Sequence, residues 1–197
     1  MLPIFCIKTG INPLPLYCYN YPQRQASSIM KDNPLTKWEI RHELKPGDIG
    51  YLTYLHGILY SGEYKYDQTF ETYVAHGLVE FVKSFNPYRD RIWLAEAEGR
   101  IVGSISIVRT SKVEAQLRWY LVHPDYRGQG LGKSLIQEAL KFCKERKYNN
   151  VFLWTTSELT TASHLYAQAG FKKTVEKSHN IWGKFISEER YDLNLVI

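Results

Sequence analysis

The sequence predicts an α/β fold, α+β-like in that hairpins come first and a crossover after, with a mixed central sheet of about six to seven strands flanked by helices. Three observations carry this. Two apolar segments, Arg91 to Ala97 and Arg100 to Arg109, are joined by Glu98-Gly99, a pair that suits a tight antiparallel hairpin. Strand, helix and strand then follow one another over residues 113–154, and the second strand holds the unbroken apolar run Val151-Phe152-Leu153-Trp154, as expected for a parallel strand covered on both faces. Between these two strands lies a glycine-rich stretch, Arg127-Gly128-Gln129-Gly130-Leu131-Gly132-Lys133-Ser134, that turns the chain from strand into amphipathic helix.

The elements follow in order. Residues 1–36 carry prolines at 3, 13, 15, 22 and 34 without sustained periodicity and are expected to form an irregular leader to a domain over 37–197. Trp38 to Leu44 reads as a first strand. Pro46-Gly47-Asp48 opens a helix, since proline in a first turn gives up an amide that would be unpaired anyway. Ile49, Leu52, Leu55, His56 and Leu59 continue it at helical spacing; His56, on that apolar stripe, is expected to be a satisfied core histidine. Tyr60 to Asp67 is expected to be a loop. Phe70, Tyr73, Val74, Gly77, Leu78, Phe81, Val82 and Phe85 form the stripe of a second helix that closes at Asn86-Pro87. After the hairpin, Val113 to His123 forms a longer strand, and Leu131, Leu135, Ile136, Ala139, Leu140 and Cys143 mark the buried side of the crossover helix. A short helix from about Thr160 to Ala169 ends at Gly170, where a left-handed residue is needed. Phe171 to Val175 and Tyr191 to Val196 read as closing strands, with Ser178 to Glu189 a loop between them.

At 197 residues and 44% apolar content the chain can bury one good core. The net charge of +5 suits a polyanionic partner, which a phosphate-bearing cofactor or a nucleic acid would satisfy equally. Three cysteines, at 6, 18 and 143, match neither a zinc spacing nor a disulfide framework, so reduced thiols, a cytoplasmic location and no metal are expected. No apolar run reaches the ~18 residues a membrane span needs, and the stretch from Leu2 to Ile7 is too short for a signal-peptide core.

The glycine stretch is neither a Walker loop nor the G-x-G-x-x-G dinucleotide fingerprint. It is Arg127-x-x-Gly130-x-Gly132 after Trp119-Tyr120-Leu121-Val122-His123-Pro124, with Leu165-Tyr166-x-x-x-Gly170-Phe171 some forty residues on. Free amides and the positive dipole end of the following helix suit a diphosphate. The segment closely resembles the coenzyme A pyrophosphate loop of the GNAT N-acetyltransferases. From Trp38 to Ile197 the order of elements resembles the GNAT fold. Arg41-His42, Pro46-Gly47-Asp48, His56-Gly57, Glu63-Tyr64 and Ile92-Trp93-Leu94-Ala95-Glu96 look most like the acetyltransferase domain found fused to MarR-type regulators. About 37 preceding residues are too few for a winged helix, so the DNA-binding half of that architecture is not carried over.

The resemblance implies acetyl-CoA as cosubstrate and direct transfer to an amine in a ternary complex, on a small molecule in preference to a protein; it allows a homodimer. It assigns the coenzyme to Leu121, Val122, His123, Arg127, Gly128, Gln129, Gly130, Leu131, Gly132, Lys133 and Ser134, with the Leu121 and Val122 backbones beside a pantetheine arm laid where the strand bulges away from its parallel neighbour. It makes Tyr166 the acid that protonates the departing thiolate, worth roughly 10²-fold because a thiol of pKa ~8.5 leaves readily. At the family's asparagine position this chain has Leu159, so Ser157 or Thr160 is expected to substitute for that contact. Gln116 stands where some members have a glutamate base, which leaves Glu114, acting through water, as the candidate base. Strand alternation puts Glu114, Gln116, Arg118 and Tyr120 on one face, unless a bulge resets it. Glu63 and Tyr64, with Arg118 and Tyr120, are assigned to the acceptor, since carboxylates with aromatic walls suit a cationic amine. A non-catalytic acyl-CoA-binding module and a nucleic-acid-binding protein remain as rival readings.

Overall fold

The structure is a computed structural model that describes residues 38–195; the leader expected over 1–36 lies outside the described residues, as does the end of the last predicted strand. In chain order the elements are β1 (Glu39–Arg41), α1 (Asp48–Tyr64), α2 (Gln68–Ser84), β2 (Arg91–Ala97), β3 (Arg100–Arg109), β4 (Glu114–Val122), a single 3₁₀ turn (Pro124–Tyr126), α3 (Leu131–Glu145), β5 (Asn150–Thr156), α4 (Thr160–Gln168), β6 (Lys172–Ile181) and β7 (Lys184–Asn194). The seven strands form one sheet in the order β1-β2-β3-β4-β5-β7-β6. Every pairing is antiparallel except β4 with β5, the pair that the crossover through α3 requires. The mixed α/β architecture read from the sequence is the one observed.

Two hydrophobic layers cover the sheet. On one face α3 buries Leu131, Leu135, Ala139 and Phe142 against Trp93, Ile105, Ile107 and Leu117. On the other, α1 and α2 bury Leu52, Val74, Leu78 and Phe81 against Ile92, Leu94 and Trp119. Of the α2 stripe, Phe70, Val74, Gly77, Leu78 and Phe81 are buried while Tyr73, Val82 and Phe85 are exposed, and Asp67 caps the helix by accepting the Thr69 amide at 2.9 Å. Among the described residues no helix is long and apolar enough to cross a membrane.

Two predicted loops are corrected. The segment from Tyr60 to Asp67 is helical up to Tyr64, and the turn comes only at Lys65, whose φ is 62°. Gly62 interrupts α1 at a cost of only ~1 kcal/mol, too little to end a helix already held by packing. The segment from Ser178 to Glu189 forms the long arms of a β6–β7 hairpin, turning at Trp182 and Gly183 with φ of 54° and 81°. That two-residue turn has the twist hairpins favour. The strand signal is missing because β6 is exposed on both faces along most of its length and so carries no alternation.

The decisive irregularity lies in β4. Arg118 pairs with Ser106 and Leu121 with Ser104, so β4 holds one residue more than β3 across the same span. Trp119 absorbs the misfit at φ 48°, and its carbonyl accepts the Ser104 hydroxyl at 2.6 Å. The parity expected for Glu114, Gln116, Arg118 and Tyr120 is thereby reset: Arg118 and Trp119 both turn to the α2 side, and Tyr120 turns to the α4 side. Downstream the parallel pairing is short. It holds at Glu114–Asn150, Ala115–Val151 and Gln116–Phe152, and beyond those residues the two strands separate.

The β6–β7 tip docks on α2, with the Asp67 amide donating to the Trp182 carbonyl at 3.1 Å. A β-carbon on Gly183 would come within 2.8 Å of the Asp67 carboxylate. Gly183→Ala is therefore expected to lower stability by about 1–2 kcal/mol through backbone strain, measured by urea unfolding with an unchanged m-value.

Candidate active site

The glycine turn is built for main-chain recognition. Gly128 and Gly130 adopt φ of 73° and 88°, and Gly130 begins α3 with no side chain capping it. Ser134 donates the first helical bond, to the Gly130 carbonyl at 3.0 Å, which leaves the amides of Leu131, Gly132 and Lys133 without helical acceptors. A β-carbon on Gly128 or Gly130 would meet nothing within 4 Å, so both face open space. The flanking side chains brace the turn: the His123 amide donates to the Val102 carbonyl at 2.8 Å, its Nδ1 accepts from the Asp125 amide at 3.3 Å, and Gln129 Nε2 donates to the Asp125 carbonyl at 3.0 Å. The Leu131 side chain is fully buried, so that residue can offer only its backbone. Lys133 is exposed at the first turn of α3.

Arg127 holds this corner to α1. Its guanidinium forms a two-pronged pair with Glu63 at 2.8 and 3.0 Å, and its Nε donates to the Val122 carbonyl at 3.0 Å. Glu63 and Tyr64 therefore stand beside the glycine turn and line the pocket there, not the second pocket that Arg118 lines, which differs from their expected grouping with Arg118. Both belong to the last turn of α1, which runs on to Tyr64. Of the candidates to replace the family's asparagine, neither Ser157 nor Thr160 lines this side; Thr161 and Ala162 do, beside Leu159.

A second pocket opens where β4 and β5 part. Its walls include His56, Tyr66, Tyr73, Arg118, Trp119, Thr155, Tyr166, Trp182 and Glu188, and Tyr60, Tyr120 and Leu159 line both it and the cofactor side. Gly132 makes room for the Tyr120 hydroxyl against the first turn of α3, since a β-carbon there would collide with it. Tyr166 is 5% exposed, with its ring 5.7 Å from that of Tyr120. Burial, then the nearby Tyr60 and Tyr120, push its hydroxyl well above the usual tyrosine range, so it keeps its proton at neutral pH.

Glu114 is not part of this arrangement. It sits at the paired end of β4, accepting from Asn150 at 3.0 Å and from Arg190 at 3.3 Å, and lines neither pocket. The carboxylate that does line the second pocket is Glu188, 2.9 Å from His179. Sequence reading missed it because β7 carried no strand signal there; Trp182-Gly183 was the available clue. His56 also differs from expectation. Its Nδ1 donates to the Leu52 carbonyl at 2.8 Å, burial pushes its pKa down to about 4, and Nε2 has no partner. Trp119 Nε1 and Thr155 Oγ1 are likewise buried and unpartnered, so three such polar atoms belong to residues of one pocket. No group of three or more metal-ligating side chains occurs among the described residues.

A seven-stranded mixed sheet parted beside an uncapped helix start is an architecture shared with solved acetyltransferases. A model of the Acetyltransferase (GNAT) family matches residues 59–171, and the chain belongs to that family, whose cosubstrate is acetyl-CoA. It is similar to human N-acetyltransferase 8B, 30% identical over 99 residues covering 48% of this chain and 44% of that protein. With mouse N-acetyltransferase 8B it is 32% identical over 117 residues, 54% and 50% of the two chains. The chain thus spans about half the length of these curated relatives. Solved structures share the fold: an acetyltransferase from Streptococcus agalactiae (TM-score 0.65, 23% identity, 80% of this chain and 98% of that one) and the Salmonella typhimurium acetyltransferase yncA with its cofactor acetyl-CoA (TM-score 0.65, 18% identity, 82% and 95%).

Glu63→Gln is expected to raise KM for acetyl-CoA several-fold while changing kcat less, because it loosens the turn without touching the acceptor side; initial-rate kinetics at varied acetyl-CoA read this out. Gly130→Val is expected to abolish coenzyme A binding in calorimetric titration, since φ 88° disfavours any side chain and valine would fill the open cradle.

Proposed function

We propose that this chain is an N-acetyltransferase that moves an acetyl group from acetyl-CoA to an amine by direct transfer in a ternary complex, on a small molecule in preference to a protein. The observation that carries this reading is the meeting of two pockets at Tyr120, one against the uncapped start of α3 and one walled by Tyr166, Arg118 and Glu188. The main-chain amides at Gly128–Lys133 would hold the diphosphate, and the backbone at Leu121 and Val122, beside the strand gap, would hold the pantetheine arm. Acetyl-CoA, when bound, supplies an activated acyl thioester.

The remaining chemistry belongs to the chain. Tyr166, neutral and buried, donates its proton to the departing sulfur. Glu188 faces the acceptor ammonium and takes its proton. Direct transfer is favoured because Cys143, the cysteine among the described residues, lies in the core with its thiol pushed up to about 12 by burial, which unsuits it as an acyl carrier. Buried polar atoms waiting in a second pocket speak against a purely coenzyme-binding module. A cytoplasmic setting and a homodimer belong to the same reading. So does the likeness to domains fused to MarR-type regulators; of the residues that carry it, Arg41 and Asp48 form an ion pair at 2.8 Å in this chain.

Mixing the protein with acetyl-CoA and a panel of amines is expected to release thiol in an amine-dependent way; no release with any amine would overturn the enzymatic reading. Tyr166→Phe is expected to lower kcat by about one to three orders of magnitude with coenzyme affinity nearly unchanged. Because the raised pKa keeps the Tyr166 proton in place as pH rises, kcat is expected to show no alkaline limb from this group up to pH ~9, where an ordinary tyrosine of pKa ~10 begins to lose its proton.

A further inference from the structure

Arg127 and Arg118 flank the two pockets, and they differ in one respect. Arg127 is neutralised by Glu63. Arg118, among the described residues, has no carboxylate within ion-pair reach: its guanidinium lies 4.6 Å over the Trp119 ring and 5.7 Å from that of Tyr73, and Nη2 donates to the Tyr73 hydroxyl at 3.3 Å. An aromatic setting without a counter-ion leaves most of its donors unpaired.

A second donor lies beside it. A β-carbon on Gly77 of α2 would come within 2.9 Å of Arg118 Nη2 and 3.1 Å of Trp119 Cζ2, so glycine opens the space and the guanidinium and the indole edge share it. Cζ2 belongs to the same edge of the ring as Nε1, and Nε1 is the buried N–H of Trp119, 7% exposed, that has no acceptor. Trp119 holds the ring there through its left-handed backbone, a conformation retained against strain. Two groups that can only donate, an arginine with no counter-ion and all but one of its donors unpaired and an indole N–H with no acceptor, line one pocket and specify an anion.

We propose that the acceptor is an amine that also carries a carboxylate, and that Arg118 with the Trp119 indole N–H forms the subsite that holds it. The proposal deepens the transferase reading and rests on it for the identity of the amine. Glu188 lines the same pocket and suits the ammonium, while Phe70, Tyr73 and Trp182, whose rings lie 4.9 to 6.5 Å apart, provide walls for an aromatic or bulky apolar body. The pocket thus selects an amphoteric substrate with an apolar side group.

The test uses matched probes that differ only in the carboxylate. N-acetyltyrosine and N-acetyltyramine are titrated calorimetrically into the protein with coenzyme A present, and tyrosine and tyramine are compared as acceptors by thiol release. Charge-assisted hydrogen bonds of this kind are worth roughly 10- to 100-fold in affinity, so N-acetyltyrosine is expected to bind at least about tenfold tighter than its partner, with the same order in kcat/KM. Arg118→Gln is expected to bring the ratio close to one and Arg118→Lys to keep part of it, with coenzyme A affinity unchanged in both. Equal binding of the two probes, no binding of either, or a ratio untouched in Arg118→Gln would overturn the subsite, whatever turnover shows. A carboxylate preference in binding without thiol release from any amine would leave the subsite standing and overturn the transferase reading instead.

Discussion

Between Arg118 and Leu121 the chain takes three steps where its neighbour β3 takes two, and the sheet accommodates the misfit by bulging at Trp119 and parting from β5 beyond Gln116. A regular parallel pair here would have satisfied the backbone groups of both strands and closed the sheet. Parting them leaves main-chain donors and acceptors without a strand partner, a state that buried polar groups do not tolerate for free. The same irregularity sends Arg118 and Trp119 to one side and Tyr120 to the other. One backbone event thus opens the gap and distributes the side chains that line it.

The bulge would be of little use if the corner that follows it were loose. Arg127 reaches back to the Val122 carbonyl and across to Glu63, joining the end of β4, the glycine turn and the last turn of α1 in one set of charge-assisted bonds. Both side chains are partly exposed, so the pair contributes little to global stability, roughly 0–1 kcal/mol. Its effect is geometric. It fixes the direction from which the amides of α3 face the cleft, and it relates that corner to the helix whose other residues, His56 and Tyr60, line the acceptor side. The Tyr120 hydroxyl, seated against Gly132, is the point at which the two halves touch.

The glycine-turn half of this arrangement was legible because its information is local. The Arg127–Ser134 stretch, the apolar run at Val151–Trp154 and the Glu98-Gly99 hairpin each occupy contiguous residues whose backbone demands are written in glycine, proline and periodicity, and they formed where expected. The acceptor half was legible in its residue types and not in its placement. Glu63 lines the pocket beside the glycine turn, on a helix that one glycine did not end, and Glu114 lines neither pocket, since its strand end is the part still paired with β5. Glu188 was invisible because an exposed hairpin arm has no alternation to read. His56 was placed correctly on its stripe, yet the sequence could not tell that only one of its nitrogens would find a partner.

This division has a physical origin. A diphosphate is recognised by amides that any sequence possesses, provided the backbone is bent correctly, so the demands on side chains are few and fall in one short motif. An acceptor is recognised by side chains, and these come from α1, α2, β4, β5, α4 and the β6–β7 hairpin, brought together only by the completed fold. The hairpin tip reaches the pocket because the Asp67 amide and the Trp182 carbonyl pair across elements that lie more than a hundred residues apart in sequence. Those contacts lie apart from the bulge and from the glycine turn, so the two halves of the site rest on different parts of the chain. In this chain Arg118 connects the two levels: it sits on the irregularity of β4 and faces the wall that α2 supplies, so a local backbone event places a charge without a counter-ion among side chains brought from distant parts of the sequence.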